Sequence, residues 1–227
     1  MTEAIIHRNP LAHWCQLSAM CLSLTLVCGC AALRPEAPPP QPAFYSLDNV
    51  RTVVRPLSPV PASAPTLVVS PTHAAAGFDS QRIIYVRQPH KPEYYAYSEW
   101  VDTPARMLAP LIVDAIEHSR TFRAVIQMPS PAAGELRLDT KVVRLQHEFL
   151  SQPSRVRFTL RAYIVNSATR RVLASHEFEA LVVATSEDPY GGVMAANQAV
   201  RTVLEELATF CAETVTSIRS TTGALPR

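Results

Sequence analysis

Cysteines are the residues of this 227-residue sequence whose type and position most clearly indicate chemistry. Four of the five, at 15, 21, 28 and 30, lie between Arg8 and Arg34, a stretch that contains no Asp, Glu, Lys or Arg. Its Leu-rich centre is typical of the apolar part of an export signal, which is removed from the mature protein. Removal of residues 1–29 leaves only Cys30 and Cys211, so the mature chain cannot form a disulfide between two internal cysteines.

The residues before Cys30 indicate the chemistry of that cysteine. Val27 stands three positions before it and Gly29 directly before it, a pattern that resembles the bacterial lipobox, in which the cysteine receives diacylglycerol. Cys28 departs from the Ala, Ser or Thr that is commoner at its position. The alternative is a retained transmembrane helix, since about 20 uncharged residues suffice to span a bilayer. We expect a lipoprotein signal peptide at 1–29 and lipidation, with palmitate-type chains, at Cys30.

Acylation of Cys30 would also fix the location of the protein. One acyl chain binds a bilayer only reversibly, but the two or three chains of the bacterial modification give an effectively permanent anchor. In the lipoprotein sorting pattern, Asp after the cysteine favours the inner membrane, whereas here the next residue is Ala31. We expect a lipid-anchored protein of the cell envelope, at the outer membrane and facing the periplasm.

The sequence lacks the motifs of the common enzyme and cofactor sites. Its six glycines form neither a Walker loop nor a dinucleotide fingerprint, no serine lies in a Gly-x-Ser-x-Gly elbow, and no two histidines have His-x-x-x-His spacing. Cys211 falls on the apolar side of a predicted helix, where we expect a small buried side chain. We predict no enzyme activity, cofactor or metal, and a net charge of +2 together with export excludes nucleic acid as a partner.

A cluster of aromatic residues precedes the first predicted helix. It comprises Tyr94, Tyr95, Tyr97 and Trp100. Amphipathic rings of this kind are enriched at interfaces, so we consider a partner-facing or lipid-facing site there. The alternative is that the rings pack the entrance of the helix.

A row of arginines is the second candidate for an interaction site. Arg155, Arg157 and Arg161 alternate with apolar residues along a predicted strand, and Arg137 and Lys141 on the preceding strand could extend the row. Arginine suits bidentate phosphate binding, so the row could contact anionic headgroups or a protein. The alternative is a solvated outer face balanced by acidic neighbours.

The pattern along the mature chain predicts a tether followed by one α+β domain. Nine prolines between Arg34 and Pro65 favour an extended tether, interrupted by a short strand near 43–47. Alternating or β-branched segments predict strands at 66–69, 81–87, 122–126, 136–142, 155–164 and 172–184. Helical spacing of apolar residues predicts helices at about 104–119 and from Val193 onward for about 25 residues.

These elements give the boundaries and the fold class that we predict. The lipidated N-terminus and proline-rich tether span 30–65, the α+β domain spans 66–220, and a C-terminal tail spans 221–227. We expect a largely antiparallel mixed sheet with two amphipathic helices packed on one face.

Two segments carry a resemblance to a known family. The segment Gly77 to Arg87, followed by Tyr94 to Leu108, resembles the ABC-type transport auxiliary lipoproteins, which include the PqiC-like lipoproteins. In that family an (I/V)-Y-R strand precedes a W-x-x-x-P helix entrance; here Val86 separates the tyrosine from the arginine. The Gly191 to Val200 segment is also similar to the family's closing helix.

The resemblance implies a non-enzymatic lipoprotein with defined partners. These are an MCE-domain protein, an ABC permease and an ATPase, which together move lipids or other hydrophobic molecules across the envelope, and a homo-oligomer is compatible with the resemblance. The alternative is a structural or assembly lipoprotein that binds an outer-membrane barrel or the lipopolysaccharide machinery. Fold alone does not distinguish the two.

Overall fold

One long strand organises the sheet of this protein. The computed structural model describes residues 41–48 and 60–223, which lie in one compact unit that begins at Gln41. The strands are β1 (Ala43–Tyr45), β2 (Thr66–Val69), β3 (His73–Ala74), β4 (Arg82–Gln88), β5 (Lys91–Trp100), β6 (Ala124–Gln127), β7 (Leu136–Glu148), β8 (Arg155–Asn166) and β9 (Val172–Val183). The helices are α1 (Pro104–His118) and α2 (Pro189–Gly223).

The two edges of β7 have different neighbours. Along one edge β7 pairs with β8 over its whole length, and β8 pairs with β9, both antiparallel. Along the other edge β7 pairs in turn with β2, β3 and β4, all parallel. β6 adds to β2, while β5 adds to β4 and β1 adds to β5, so this side of the sheet divides into two arms. The expected α+β class, with a mixed sheet whose long ladders are antiparallel, is confirmed.

Strand alternation turns one face of this sheet toward the two helices. On β8 the five apolar side chains at 156, 158, 160, 162 and 164 are all buried, whereas Arg155 and Arg161 between or beside them are exposed. α2 packs on β8 and β9, and α1 packs on β6 and β7 and against α2. The buried row and the two helices form a single hydrophobic core.

Both helices begin with proline, but their caps differ. Thr103 occupies the N-cap of α1 in extended conformation, but its side chain makes no capping hydrogen bond. The carboxylate of Asp102 accepts a hydrogen bond from the Thr103 amide. α2 begins at Pro189, four residues before the predicted Val193. The reason is Asp188, whose carboxylate accepts a hydrogen bond from the Gly191 amide at 2.7 Å, so the Pro-Tyr-Gly-Gly segment forms the first helical turn rather than a loop.

Two further properties of the helices bear on function. Cys211 on α2 is fully buried, and burial raises the pKa of its thiol to about 12, which agrees with the small buried side chain that the sequence predicts. Within residues 41–48 and 60–223, neither helix is apolar enough over a sufficient length to cross a membrane.

Candidate functional site: two surfaces of the sheet

Cys30, the predicted lipidation site, lies outside the described residues. The described residues nevertheless show which strand comes first after that cysteine in the sequence. β1 starts at Ala43, so 12 residues, 31–42, separate it from Cys30. The arm formed by β1, β5 and β4 is therefore the part of the sheet nearest to Cys30 along the chain.

Exposed aromatic side chains lie on this arm of the sheet. Phe44 is 60% exposed, Tyr97 53% and Tyr94 41%. The guanidinium of Arg82 lies over the Tyr94 ring, 4.9 Å from its centroid. Val101, directly after β5, is also half exposed. We call this set, together with Glu99, the aromatic surface.

The register places three residues of this surface on one face. Phe44 on β1 and Arg82 on β4 are both paired with Glu99 on β5, so the three form one row across the arm. Side chains of directly paired residues lie on the same face, and along a strand the face alternates. Tyr97 and Val101, two residues to either side of Glu99 in the sequence, are both at least half exposed.

The other two predicted aromatic residues point away from this surface. Trp100, paired with Tyr45, is 3% exposed and packs in the core next to Leu47. Tyr95 is half-buried, and its hydroxyl lies 3.0 Å from Nδ1 of His147. The sequence predicts one cluster of four rings. In the structure Tyr94 and Tyr97 are exposed, whereas Trp100 and Tyr95 pack against other side chains, because alternation and an irregularity in β5 separate them.

That irregularity is large. Between Arg82 and Ile84 on β4, the pairing on β5 passes from Glu99 to Tyr94, so three more residues lie on β5 than regular pairing requires. Such bulges turn side chains in directions that simple alternation does not predict. Here the bulge presents Tyr94 outward and Tyr95 toward β7.

Sequence reasoning missed the buried group that Tyr95 contacts. His147 is 2% exposed; its Nδ1 faces the Tyr95 hydroxyl, and its Nε2 lies 2.8 Å from the Ser154 hydroxyl. Burial lowers the pKa of His147, and the nearby carboxylates of Glu187 and Asp188 oppose that shift. Tyr95 lies 52 residues before His147 in the sequence, so no local motif could have revealed this group.

The His147 cluster is built for packing rather than catalysis. A serine hydroxyl beside an imidazole resembles a nucleophile and its base, but Ser154 is fully buried, so a substrate cannot reach it. A Cβ at Gly192, in the first turn of α2, would lie 2.5 Å from Nδ1 of His147. The cluster therefore fixes the contact between the start of α2 and the sheet.

The predicted arginine row lies on the outer face of β8, but two of its members are paired with carboxylates. Arg157 donates to Glu148 at 2.8 Å and to Glu179 at 2.5 Å. Arg161 forms an ion pair with Glu177. On β7, Arg137 likewise donates to Asp139 at 2.9 Å. The charge of the row is therefore largely compensated by neighbouring strands.

Arg155 differs from the other arginines of the row, since no ion pair involves it among the described residues. It is exposed, and its cross-strand partner on β9 is Val183, which is 48% exposed. Leu181, also exposed, is paired with Arg157. We call Arg155, Leu181 and Val183 the β8–β9 corner. An exposed arginine beside apolar side chains is a frequent centre of protein interfaces.

Lys141, the last member of the predicted row, lines a separate cavity of about 520 Å³ with His73, Asp139 and Tyr163. The Asp139 carboxylate there accepts a hydrogen bond from the Ser70 hydroxyl at 2.6 Å and forms an ion pair with Arg137. No group of three or more His, Cys, Asp or Glu residues suited to a metal ion occurs within the described part of the chain.

Comparison with known proteins gives a family and a fold. Residues 45–208 match the family model described as ABC-type transport auxiliary lipoprotein component. The crystal structure of protein XCC0632 from Xanthomonas campestris, of family DUF330, shares 26% identity and a TM-score of 0.68, covering 78% of this chain and 99% of that one. The hypothetical protein CT253 from Chlamydia trachomatis shares the fold at 6% identity, with a TM-score of 0.50 over 68% of this chain and 99% of its own. No curated protein matches the chain.

Proposed function

The chain belongs to the ABC-type transport auxiliary lipoprotein family, and from this premise we propose that it serves an MCE-associated transporter that moves lipids or other hydrophobic molecules across the envelope. The observation that carries the proposal is the extent of the family match, which runs from the end of β1 through most of α2. The chain would be the membrane-anchored, non-catalytic component, with an MCE-domain protein, a permease and an ATPase as partners.

Anchorage at Cys30, facing the periplasm at the outer membrane, is the second part of the proposal. The lipobox-like sequence before Cys30 and Ala31 after it support this location. An anchored domain contributes to transport by holding a partner at a fixed distance from the membrane. The side chains of this domain need only to bind the partner, and no covalent bond of the transported molecule has to be made or broken.

We assign partner binding to the β8–β9 corner. Arg155 there is exposed and uncompensated, whereas Arg157 and Arg161 are paired within the sheet. A partner that offers a carboxylate to Arg155 and apolar side chains to Leu181 and Val183 would match the corner in both charge and polarity. β9 is also the edge strand of the sheet, so its outer backbone groups are open to a neighbouring chain.

Affinity purification of the lipidated chain in mild detergent tests the proposal. We expect MCE, permease or ATPase subunits to be recovered with the unchanged chain and to be lost with Arg155→Glu. Arg171→Glu is the matched control, because Arg171 is equally exposed but lies at the opposite end of β9, in the β8–β9 turn. Recovery of none of these subunits with the unchanged chain would refute the transporter assignment.

The competing function is an assembly lipoprotein that binds an outer-membrane barrel or the lipopolysaccharide machinery. A photocrosslinker at position 155 distinguishes the two. Capture of a barrel protein from this position, with no transporter subunit, would favour the competing function. Gene neighbourhood offers an independent test, since adjacent MCE, permease and ATPase genes support the transporter.

A further inference from the structure

The aromatic surface is a group of exposed apolar side chains that the proposed function does not use. Four large apolar side chains, Phe44, Tyr94, Tyr97 and Val101, each expose two fifths or more of their area on one arm of the sheet. Scattered exposed apolar residues are ordinary, but a contiguous group on one face marks a surface that contacts something else. The partner binding proposed above uses the opposite edge of the sheet, at β8 and β9, and does not use this group.

We propose that the aromatic surface rests on the lipid bilayer that holds the anchor, with its rings at the level of the headgroups. The inference deepens the proposed function and depends on acylation of Cys30. Its first support is the position of Phe44, which stands 14 residues after Cys30 and one residue into β1. The intervening residues 31–42 can span at most about 43 Å in any conformation. This length is close to the width of a domain of this size, so β1 stays within about one domain width of an acylated Cys30.

The chemistry of the surface is the second support for the proposal. Tyrosine and phenylalanine side chains concentrate at the boundary of the bilayer, where a ring can lie in the apolar region while a hydroxyl remains in contact with water. Tyr94 and Tyr97 supply two such hydroxyls, and Phe44 and Val101 supply apolar area without a polar group.

The charges of the surface are the third support for the proposal, because they determine which kind of membrane contact is expected. Arg82 and Glu99 stand in the same row and have opposite formal charges, so the residues of the surface sum to no net charge. Electrostatic attraction to anionic lipid is therefore not the source of binding. The contact should form on zwitterionic phosphatidylcholine and should persist at high salt, where electrostatic binding is screened.

The test uses the lipidated full chain reconstituted in phosphatidylcholine vesicles. A Tyr97→Cys variant is labelled with the fluorophore NBD, and Val172→Cys on β9 is the matched control, since Val172 is 56% exposed at the opposite edge of the sheet. The native thiols do not interfere, because Cys30 would be blocked by lipid and Cys211 is fully buried. Vesicles carry a nitroxide on the lipid headgroup, which quenches only nearby fluorophores.

We expect about twofold or greater quenching at position 97, little at position 172, and the same result at high salt. Phe44→Ser with Tyr94→Ser should reduce quenching at 97 to the control value while thermal unfolding by circular dichroism stays unchanged, because both side chains are exposed. Equal quenching at 97 and 172 would overturn the lipid contact. So would a signal at 97 that requires transporter-containing membranes, because it would identify a protein occupant.

The same experiment separates this inference from the anchor on which it depends. Vesicle flotation reports acylation directly. A chain that floats without quenching at 97 retains its anchor and refutes the lipid contact alone. A chain that does not float refutes both.

Discussion

At the scale of single residues, His147 is the group whose chemistry depends most on the fold. It is buried between Tyr95 on β5 and Ser154 before β8, and the first turn of α2 lies against its ring. Both ring nitrogens have a hydroxyl partner, so the neutral imidazole is fully satisfied. Burial disfavours the charged form and lowers the pKa of His147 in the folded state.

We predict that this shift makes stability depend on pH. Because the folded His147 binds protons less readily than the unfolded one, whose pKa is about 6.5, the unfolded state takes up more protons below neutral pH. The free energy of unfolding should be constant above about pH 7 and should fall as the pH drops below about 6.5, by at most about 1.4 kcal/mol per pH unit. Urea unfolding between pH 7.5 and about 5 measures this slope.

A matched pair of variants assigns the slope to one histidine. His147→Gln keeps a hydrogen-bonding side chain but removes the titration, so it should flatten the slope even if the variant is less stable throughout. His73→Gln, at an exposed position, should leave the slope unchanged. Carboxylates with lowered pKa values, such as Glu148 and Glu187, titrate below this range. An unchanged slope in His147→Gln would contradict the prediction.

How far single residues can be predicted from sequence depends on whether their partners are local. Cys211 was predicted correctly as a buried side chain because its surroundings are the apolar stripe of its own helix. His147 was not, since Tyr95 lies 52 residues before it and reaches it only because β5 pairs with β4 and β4 pairs with β7, while Ser154 lies seven residues after it.

At the scale of elements, the outer face of β7, β8 and β9 is held by ion pairs that differ in burial. Arg157 lies between Glu148 and Glu179, and only 24% of the Arg157 side chain and 11% of the Glu148 side chain are exposed. The Arg161–Glu177 pair is 44% exposed on both sides. Removal of one partner from a buried pair leaves an uncompensated charge, whereas exposed pairs contribute little.

We therefore predict unequal effects of two otherwise similar substitutions. Arg157→Met should lower the free energy of unfolding by about 2 kcal/mol, because Glu148 would remain buried without its cation. Arg161→Met should lower it by clearly less, because both members of its ion pair are exposed and screened by solvent. Chemical denaturation at neutral pH compares them. Glu148→Met in the Arg157→Met background should recover much of the loss, and equal losses for the two single variants would show that burial does not govern these pairs.

Elements with strong periodicity were predictable, and those set by tertiary pairing were not. β8 and α1 follow regular apolar spacing, and the structure has them close to the predicted bounds. β3 has only two residues, too few for any pattern, and exists because β7 offers a free edge. The start of α2 was predicted too late, since two glycines argue against a helix while the Asp188 cap and Pro189 favour one.

At the scale of the whole molecule, the sheet separates two proposed contacts. The arm of β1, β5 and β4 carries the aromatic surface and lies next to the anchor segment in sequence. β8 and β9, on the other edge of β7, carry the corner proposed for a protein partner. The α+β class followed from the sequence pattern, but this division did not, because it depends on β7 pairing with different strands along its two edges.

The anchor itself gives the prediction with the clearest control. Cys30→Ser removes the thiol that would be acylated, so the folded chain should move from the membrane to the soluble envelope fraction, and transport should be impaired. Cys28→Ser is the matched control: it changes a cysteine two positions away to a residue that is common in the lipobox, and it should leave acylation and fractionation unchanged. Fractionation with immunoblotting, together with mass spectrometry of the N-terminal peptide, measures both. Membrane association that persists in Cys30→Ser would mean that residues 1–29 are retained as a transmembrane segment and that the lipoprotein assignment of this chain is wrong.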